Sequence, residues 1–485
     1  FHELGLQSYL EENHFHKYGL TFYLKDAIDD PSCRRYAVHE GPAAPPMPSK
    51  QLNRATLDRK LAELVTELGV ETRDGRVIDV DSDTSGHHVS WEDSDGESRR
   101  DSCRWLIDTT GRRRVLARKL ELHVAMTPQR SCFWLRLHNF DRQFLDNIEA
   151  IKQPQHSFDS YFATHHFFGR GNWIWCIPLR DPEGSRLMSV GITWRPDLND
   201  LDIRSVEDFI AQAEREHPVV AELLRGGEVL DTNVYRNYLY DCSKYYFADG
   251  KFIVGDAGKS VDPLYSTGLA TSSMQIQQVH ALIEQDRREG RIDPEFLRDL
   301  EDCFVTISET FQTNIAQQYE WMNDPYRSHW SIHLQTLFYF YGVLPGWLAG
   351  IHCDHNGARL LSKLLLDSRE DYASFLELVN VASRRLGKVP AEELHNHYDR
   401  VVNWELWGPD PNRVTRHLST MLESYAHYRR TLLEQSGGHA RAQHWKLIAR
   451  DLARSKALNV LFRDEPVTNN EKIAKFVGRE RLRPS

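Results

Sequence analysis

The chain is 485 residues long, with a formal net charge of −10 at pH 7 and a sequence pI near 6.2. That length allows two or three packed regions with a sizeable core, and the acidic balance leaves no basic footprint for nucleic acid or an anionic membrane surface. The longest apolar run, 337–350, is interrupted by Gly342 and Pro345, so it reads as a buried segment and no membrane span is expected. Seven cysteines without a CxxC pair fit reduced thiols; no charged and apolar leader opens the chain, and the expected location is the cytoplasm.

In chain order, residues 4–12 have helical spacing and 20–24 read as a strand, with Lys17 just ahead of it. Residues 31–48 are proline-rich and predict a surface loop. A helix comes next, opened by Arg54, with Leu57, Leu61, Leu64 and Leu68 on one face. Strands are expected over 76–80, 88–91 and 105–108, the last running into the turn Asp108, Thr109, Thr110, Gly111, Arg112. From 129 to 245 the pattern changes to longer strands rich in Phe, Trp and Val, interrupted by a helix over 205–216. One of these strands carries Trp173, Ile174, Trp175, Cys176, Ile177 and Pro178, an aromatic-rich run with alternating faces.

The stretch 251–275 puts a strand, a bend and a helix start in one place. Phe252, Ile253 and Val254 form the apolar run of a central parallel strand. Gly255 lets the backbone turn, and Asp256 stands at the carboxyl end of the strand, where open α/β sheets bind ligands and a carboxylate accepts hydrogen bonds from sugar-like hydroxyls. Pro263 stops regular structure, and Ser266 or Thr267 is expected to cap the next helix. The amides of Thr267 and Gly268 then project from a helix N-terminus, which suits an anion. The remainder is mainly helical, with helices expected over 294–319, 358–366, 372–386 and 414–434.

The GD bend followed by Asp262, Pro263 and the 267 helix resembles the late FAD-binding motif of flavoprotein monooxygenases and halogenases. WIWCIP, upstream and in the right order, resembles the WxWxIP signature of the flavin-dependent halogenases. The resemblance implies an α/β fold: a FAD-dependent monooxygenase-like, Rossmann-type FAD domain, an inserted mainly β substrate domain and a C-terminal helical region. The expected divisions are 1–122 and 246–325 for FAD binding, 123–245 for the substrate-side sheet, and 326–485 for the helical end. A GxGxxG turn is absent from the sequence, and the expectation is that the pyrophosphate-binding unit preceding residue 1 has been lost.

The resemblance further implies that reduced FAD, oxygen and chloride or bromide yield hypohalous acid, with reduced FAD supplied by a separate flavin reductase. KYGLTF resembles the family segment with the catalytic lysine, here Lys17, five residues ahead of Phe22. Arg54, Gly255, Asp256, Asp262, Pro263, Gly268 and Leu269 are the implied cofactor-binding residues. Thr267 and Gly268 are the implied halide site, and Trp173, Trp175, Ile177 and Pro178 the barrier between flavin and a small aromatic substrate. Tyr265 stands where tryptophan halogenases carry glutamate, which favours phenol- or pyrrole-type substrates, and Ser260 replaces a phenylalanine of many members. An aromatic hydroxylase and a non-catalytic flavoprotein-like scaffold remain as alternatives, and a homodimer stays open.

Other constellations are weaker. His352, Cys353 and His355 lack a second pair at zinc-site spacing, so no metal is expected. His165 and His166 read as strand-edge histidines. No GxSxG, HExxH or P-loop occurs, which removes the commonest hydrolase and nucleotide-triphosphatase readings.

Overall fold

The computed structural model describes residues 1, 3–25, 32–40, 49–151, 159–390, 393–394, 413–437 and 442–462. Residues 31 and 41–48 of the expected loop lie outside this set, and its middle is a strand, Arg35–Glu40, rather than loop. That segment reads RYAVHE, alternating and aromatic, and it pairs antiparallel with Leu20–Lys25.

An eight-stranded sheet forms the centre. Its order is Glu149–Ile151, Arg35–Glu40, Leu20–Lys25, Thr164–Phe168, Asn172–Arg180, Arg186–Trp194, Ser131–His138 and Glu228–Tyr235. Two pairings are parallel, Thr164–Phe168 with Leu20–Lys25 and Glu149–Ile151 with Arg35–Glu40. The sheet thus takes in two strands from before residue 123, which the expected division at that point had assigned elsewhere.

Side-chain alternation gives the sheet two apolar faces. On one, Tyr23, Phe167, Ile174, Cys176 and Met188 pack with Phe209, Ala213, Val220 and Leu224. Those partners come from Val206–Glu216, opened by a Ser205/Asp208 capping box, and from Pro218–Arg225. On the other face, Phe22, Leu24, Phe168 and Trp173 join the larger core that continues through the helical half.

Beside the sheet, the fully buried strand Lys251–Ile253 pairs in parallel with Leu106–Asp108. The Asp108 carboxylate accepts from the amides of Thr110 at 2.8 Å and Leu116 at 2.7 Å, which closes the turn foreseen there. A three-stranded sheet, Gly75–Asp83, Gly86–Asp93 and Ser98–Cys103, flanks this pair. Its last strand, SRRDSC, was not expected because an exposed and charged edge carries no apolar alternation.

The helical half contains Thr267–Glu289, Pro294–Gln318, Pro325–Leu337, His355–Leu386, Val414–Gln435 and Ala442–Leu461. Asp293 and Asp324 cap two of them directly ahead of a proline at the first helical position. His355–Leu386 is one helix where two were expected. The polar stretch around Asp367 to Asp371 reads as a break, yet Arg454 pairs with Asp367 and Arg450 with Asp371, so a neighbouring helix neutralises it. The apolar run beyond Leu337 forms a buried π-turn, Phe338–Val343, and a short helix, Leu344–Leu348. Among the described residues no helix is long and apolar enough to cross a membrane. All seven cysteines are free thiols.

Candidate active site

The site is built where the helix Thr267–Glu289 meets the sheet. Gly255 has φ +61°, a conformation L residues rarely adopt, and a Cβ there would lie 3.2 Å from Ser272 Oγ. Its amide donates to Gln275 Oε1 at 2.8 Å, which docks the helix on the bend. Tyr265 and Ser266 come after it with φ of 68° and 56°. Two consecutive non-glycine residues in this region cost on the order of 1–3 kcal/mol each and require surrounding structure to hold them.

Several contacts hold them. The Tyr265 hydroxyl donates to Gln318 Oε1 at 2.8 Å, and its ring lies 5.5 Å from that of Phe22. The Ser266 amide donates to Pro263 O at 2.9 Å. Ser266 occupies the N-cap position, as expected, but its side chain makes no cap; it accepts from Lys17 Nζ at 3.2 Å. The left-handed backbone turns the hydroxyl toward the lysine, so the helix start has no side-chain cap; Thr267 there is buried and Val261 packs beside Gly268.

Lys17 ends the strand Phe15–Lys17, which pairs antiparallel with Ser49–Gln51. The side chain is only half-buried by surface, yet it is surrounded deeply enough by protein that desolvation lowers its amine pKa to about 8. His166 lies close by. Burial, and then the Lys17 charge, push its pKa down to about 3, so it is neutral at physiological pH. Its ring stacks on Phe22 at 4.8 Å and stands 5.3 Å from Trp173.

The aromatic layer continues along Asn172–Arg180. Trp173, Trp175 and Ile177 share one face by alternation, with the two indoles 5.6 Å apart. Trp173 Nε1 donates to the Tyr319 hydroxyl at 2.8 Å, which donates to Asp262 Oδ2 at 2.8 Å, and Arg130 Nε donates to the same oxygen at 2.9 Å. Arg130 and Asp262 have fully buried side chains, and the Arg130 guanidinium lies 4.2 Å over the Tyr319 ring. Trp175 Nε1 donates to Ser189 Oγ at 3.1 Å. Gly191, directly opposite, makes room for the Trp175 ring, since a Cβ would come within 2.2 Å of it.

Among the residues assigned to the cofactor, Asp256 is open at the strand end, its carboxyl pKa raised by desolvation against the opposing pull of Arg112 and then Arg54. Arg54, exposed, is also paired with Asp58 at 2.8 Å. Gly255, Asp256 and Arg54 therefore fit the hydroxyl-bearing, anionic side of FAD, with an acceptor, a close backbone approach and cations in one electrostatic cluster. Leu269 is exposed in the first turn of the helix, at 46%. Pro263 opens the short turn Leu264–Ser266. Asp262 behaves differently: its carboxylate is engaged inside the protein by Arg130 and Tyr319, and it reaches Trp173 through the Tyr319 hydroxyl rather than facing a ligand.

Two readings are corrected. Pro178 shares its face with Ile174 and Cys176, which pack on the opposite side of the sheet, because strand alternation is strict over this run. His165 and His166 are buried in an interior strand paired on both sides, not at an edge. His165 Nδ1 is 3.0 Å from the Tyr23 hydroxyl, and His166 Nδ1 is 3.0 Å from Thr164 O. Tyr319, Arg130 and Gln318 were missed altogether, since a Gln and a Tyr at a helix end and an Arg just ahead of a strand carry no local signature.

Comparison with known proteins gives the family and the fold. The family model described as tryptophan halogenase covers residues 34–321, more than half of the chain, and the chain belongs to that flavin-dependent halogenase family. It is 26% identical over 414 residues to the flavin-dependent halogenase chlA of Dictyostelium discoideum, covering 77% of this chain and 66% of that protein. It is 25% identical over 226 residues to the 1H-pyrrole-2-carbonyl-[peptidyl-carrier protein] chlorinase of Pseudomonas fluorescens, covering 46% and 47%. The chain thus spans under two thirds of the length of both relatives. Halogenase PltM, solved in complex with phloroglucinol and FAD, has the same fold, with a TM-score of 0.61 at 16% identity over 93% of this chain and 82% of that one. FAD is the cofactor of the family and halide its co-substrate, and the relatives are not restricted to tryptophan.

Proposed function

We propose that the protein is a flavin-dependent halogenase acting on an electron-rich phenolic or pyrrolic substrate, with Lys17 as the catalytic amine. The observation that carries this reading is the contact between Lys17 Nζ and Ser266 Oγ at the start of the Thr267–Glu289 helix. A desolvated amine and an uncapped helix start are brought together beside an aromatic wall. Each group then has a task. Reduced FAD, oxygen and halide supply the hypohalous acid. The Thr267 and Gly268 amides bind chloride or bromide, as donors without competing negative charge.

Trp173 and Trp175, with Ile177, exclude the arene from the flavin side, so the oxidant and not the flavin meets the substrate. Lys17 receives that oxidant: charged, it donates a hydrogen bond to the hypohalous oxygen; neutral, its nitrogen takes the halogen as the O–halogen bond breaks, and the hydroxyl leaves with an amine proton as water. An amine pKa of about 8 keeps both forms within reach. Tyr265, tied to Gln318, leaves no carboxylate at this point, which suits arenes already activated by their own hydroxyl or ring nitrogen. A separate flavin reductase supplies the reduced cofactor, and the setting is secondary metabolism.

The test is product mass spectrometry of the full-length protein with reductase, NADH, chloride or bromide and a panel of phenols and pyrroles. A halogen isotope pattern dependent on halide is expected. Hydroxylated product independent of halide would replace this reading with a monooxygenase.

A further inference from the structure

The histidines singled out in the sequence at 352 and 355 are not where such side chains converge. His352 Nε2 lies against Cys353 Sγ at 3.2 Å, and His355 pairs with Asp299 at 2.7 Å. Three others do converge. His39, from the strand Arg35–Glu40, meets His329 and His333, from the helix Pro325–Leu337, and one ring nitrogen from each lies within 4.8 Å of the others. All three are buried, at 6%, 4% and 0% exposure. Their ring centroids are 4.2 Å apart for His329 and His333, 4.7 Å for His39 and His333, and 5.3 Å for His39 and His329.

We propose that His39, His329 and His333 form a binding site for one divalent transition-metal ion of the zinc class. His329 and His333 are four residues apart on one helix, the spacing by which two helical imidazoles reach one ion. The Nδ1 of His333 is 2.8 Å from the carbonyl oxygen of His329. Donation to that carbonyl places the proton on Nδ1, the arrangement by which proteins fix the tautomer of a metal-binding imidazole. His39 supplies the third nitrogen from a different layer of the fold. Metal–nitrogen distances of about 2.0–2.1 Å ask the rings to close by roughly an ångström from their present separation, within reach of side-chain rotation. Three imidazoles, with no carboxylate or thiolate in the cluster among the described residues, favour zinc, copper, nickel or cobalt over magnesium or calcium.

The ion would tie the central sheet to the helical half. His39 is the register partner of Phe22, and their rings are 6.3 Å apart. Phe22 in turn packs against Tyr265 and His166. The site therefore lies behind Phe22 and holds Arg35–Glu40, the strand that pairs with the one carrying Phe22.

The full-length protein, stripped with chelator, is titrated with Co²⁺ alone and then with Zn²⁺. One equivalent of Co²⁺ should bind with the intense visible bands of a low-coordinate nitrogen site, and Zn²⁺ should displace it. His39→Asn and His333→Asn should each weaken binding by at least on the order of a hundredfold, the upper end of what losing even a hydrogen-bond partner of a ligand causes. His352→Asn should leave it unchanged. Absence of the bands in the wild-type protein, or stoichiometric binding retained by the His333 variant, overturns the proposal. The wild-type spectrum needs no variant to fold, so the first outcome decides by itself if the substitutions unfold the chain.

Discussion

Lys17 Nζ and Ser266 Oγ, 249 positions apart, stand 3.2 Å from each other where a strand end meets a helix start. If the lysine handles the oxidant, Lys17→Met keeps the stem and removes the nitrogen. Halogenated product should fall at least about a hundredfold, the range lost with a positioned proton donor or oxyanion partner. Oxygen uptake with reduced flavin should persist. Parallel assays of oxygen consumption and product decide it, and near wild-type halogenation would make Lys17 a structural lysine.

The same substitution has a stability signature of opposite sign. The Lys17 amine is lowered from its ordinary 10.5 to about 8 by burial, so between those values the unfolded chain binds more protons than the folded one. Below about pH 8 the fold carries the full penalty of a desolvated cation, and it sheds that penalty as pH rises toward 10.5. Lys17→Met should therefore raise the melting temperature at pH 7, with the difference shrinking at about pH 9.5. A variant less stable than wild type at pH 7 contradicts this.

Much of the site was legible because its signals are local. A short apolar strand, a glycine bend and an aspartate fix Lys251–Ile253 and the turn at its carboxyl end, and alternation alone places Trp173 and Trp175 on one face. The rest is non-local and left no trace in any one stretch of sequence. Pro178 was grouped with the tryptophans through the WxWxIP resemblance, although one residue of shift reverses the face. The histidine trio draws on positions 39, 329 and 333, which no motif connects. The 355–386 helix was divided at charges whose partners come from another helix. Ser266 looked like a cap, and its backbone conformation gave the hydroxyl to Lys17 instead.

Arg130→Met should be among the most damaging single changes away from the lysine. It leaves the Asp262 carboxylate fully buried with only the Tyr319 hydroxyl and the Leu264 amide as partners. Breaking a buried pair from one side costs about 3–5 kcal/mol. Urea unfolding should show a loss of that size, and the double variant Arg130→Met with Asp262→Asn should recover a substantial part of it. Additive losses would mean that the two residues are not coupled.

Gly191→Ala tests the wall without touching either tryptophan. The new Cβ would overlap the Trp175 ring at 2.2 Å, so the indole must leave its place and its bond to Ser189. Overpacking of this kind costs about 1–3 kcal/mol. Thermal unfolding should show the loss, and hydroxylated by-product should rise relative to halogenated product. Pairing it with Trp175→Ala should restore stability while keeping the altered product ratio. Unchanged tryptophan fluorescence and stability in the single variant would show that the strand absorbs the methyl by moving.

The parallel pairing of Leu20–Lys25 with Thr164–Phe168 has a kinetic consequence. These strands are more than a hundred residues apart, and pairing them closes a long loop before Phe22 can stack on His166. Lys17 meets the 267 helix only after a further long closure. During refolding, then, the hairpins within 131–194 should acquire protected amides first, and the lysine should find Ser266 in one of the last steps. A chain released from synthesis before residue 267, or clipped between these segments, would keep its tryptophan-bearing hairpins and still lack the contact between Lys17 and Ser266.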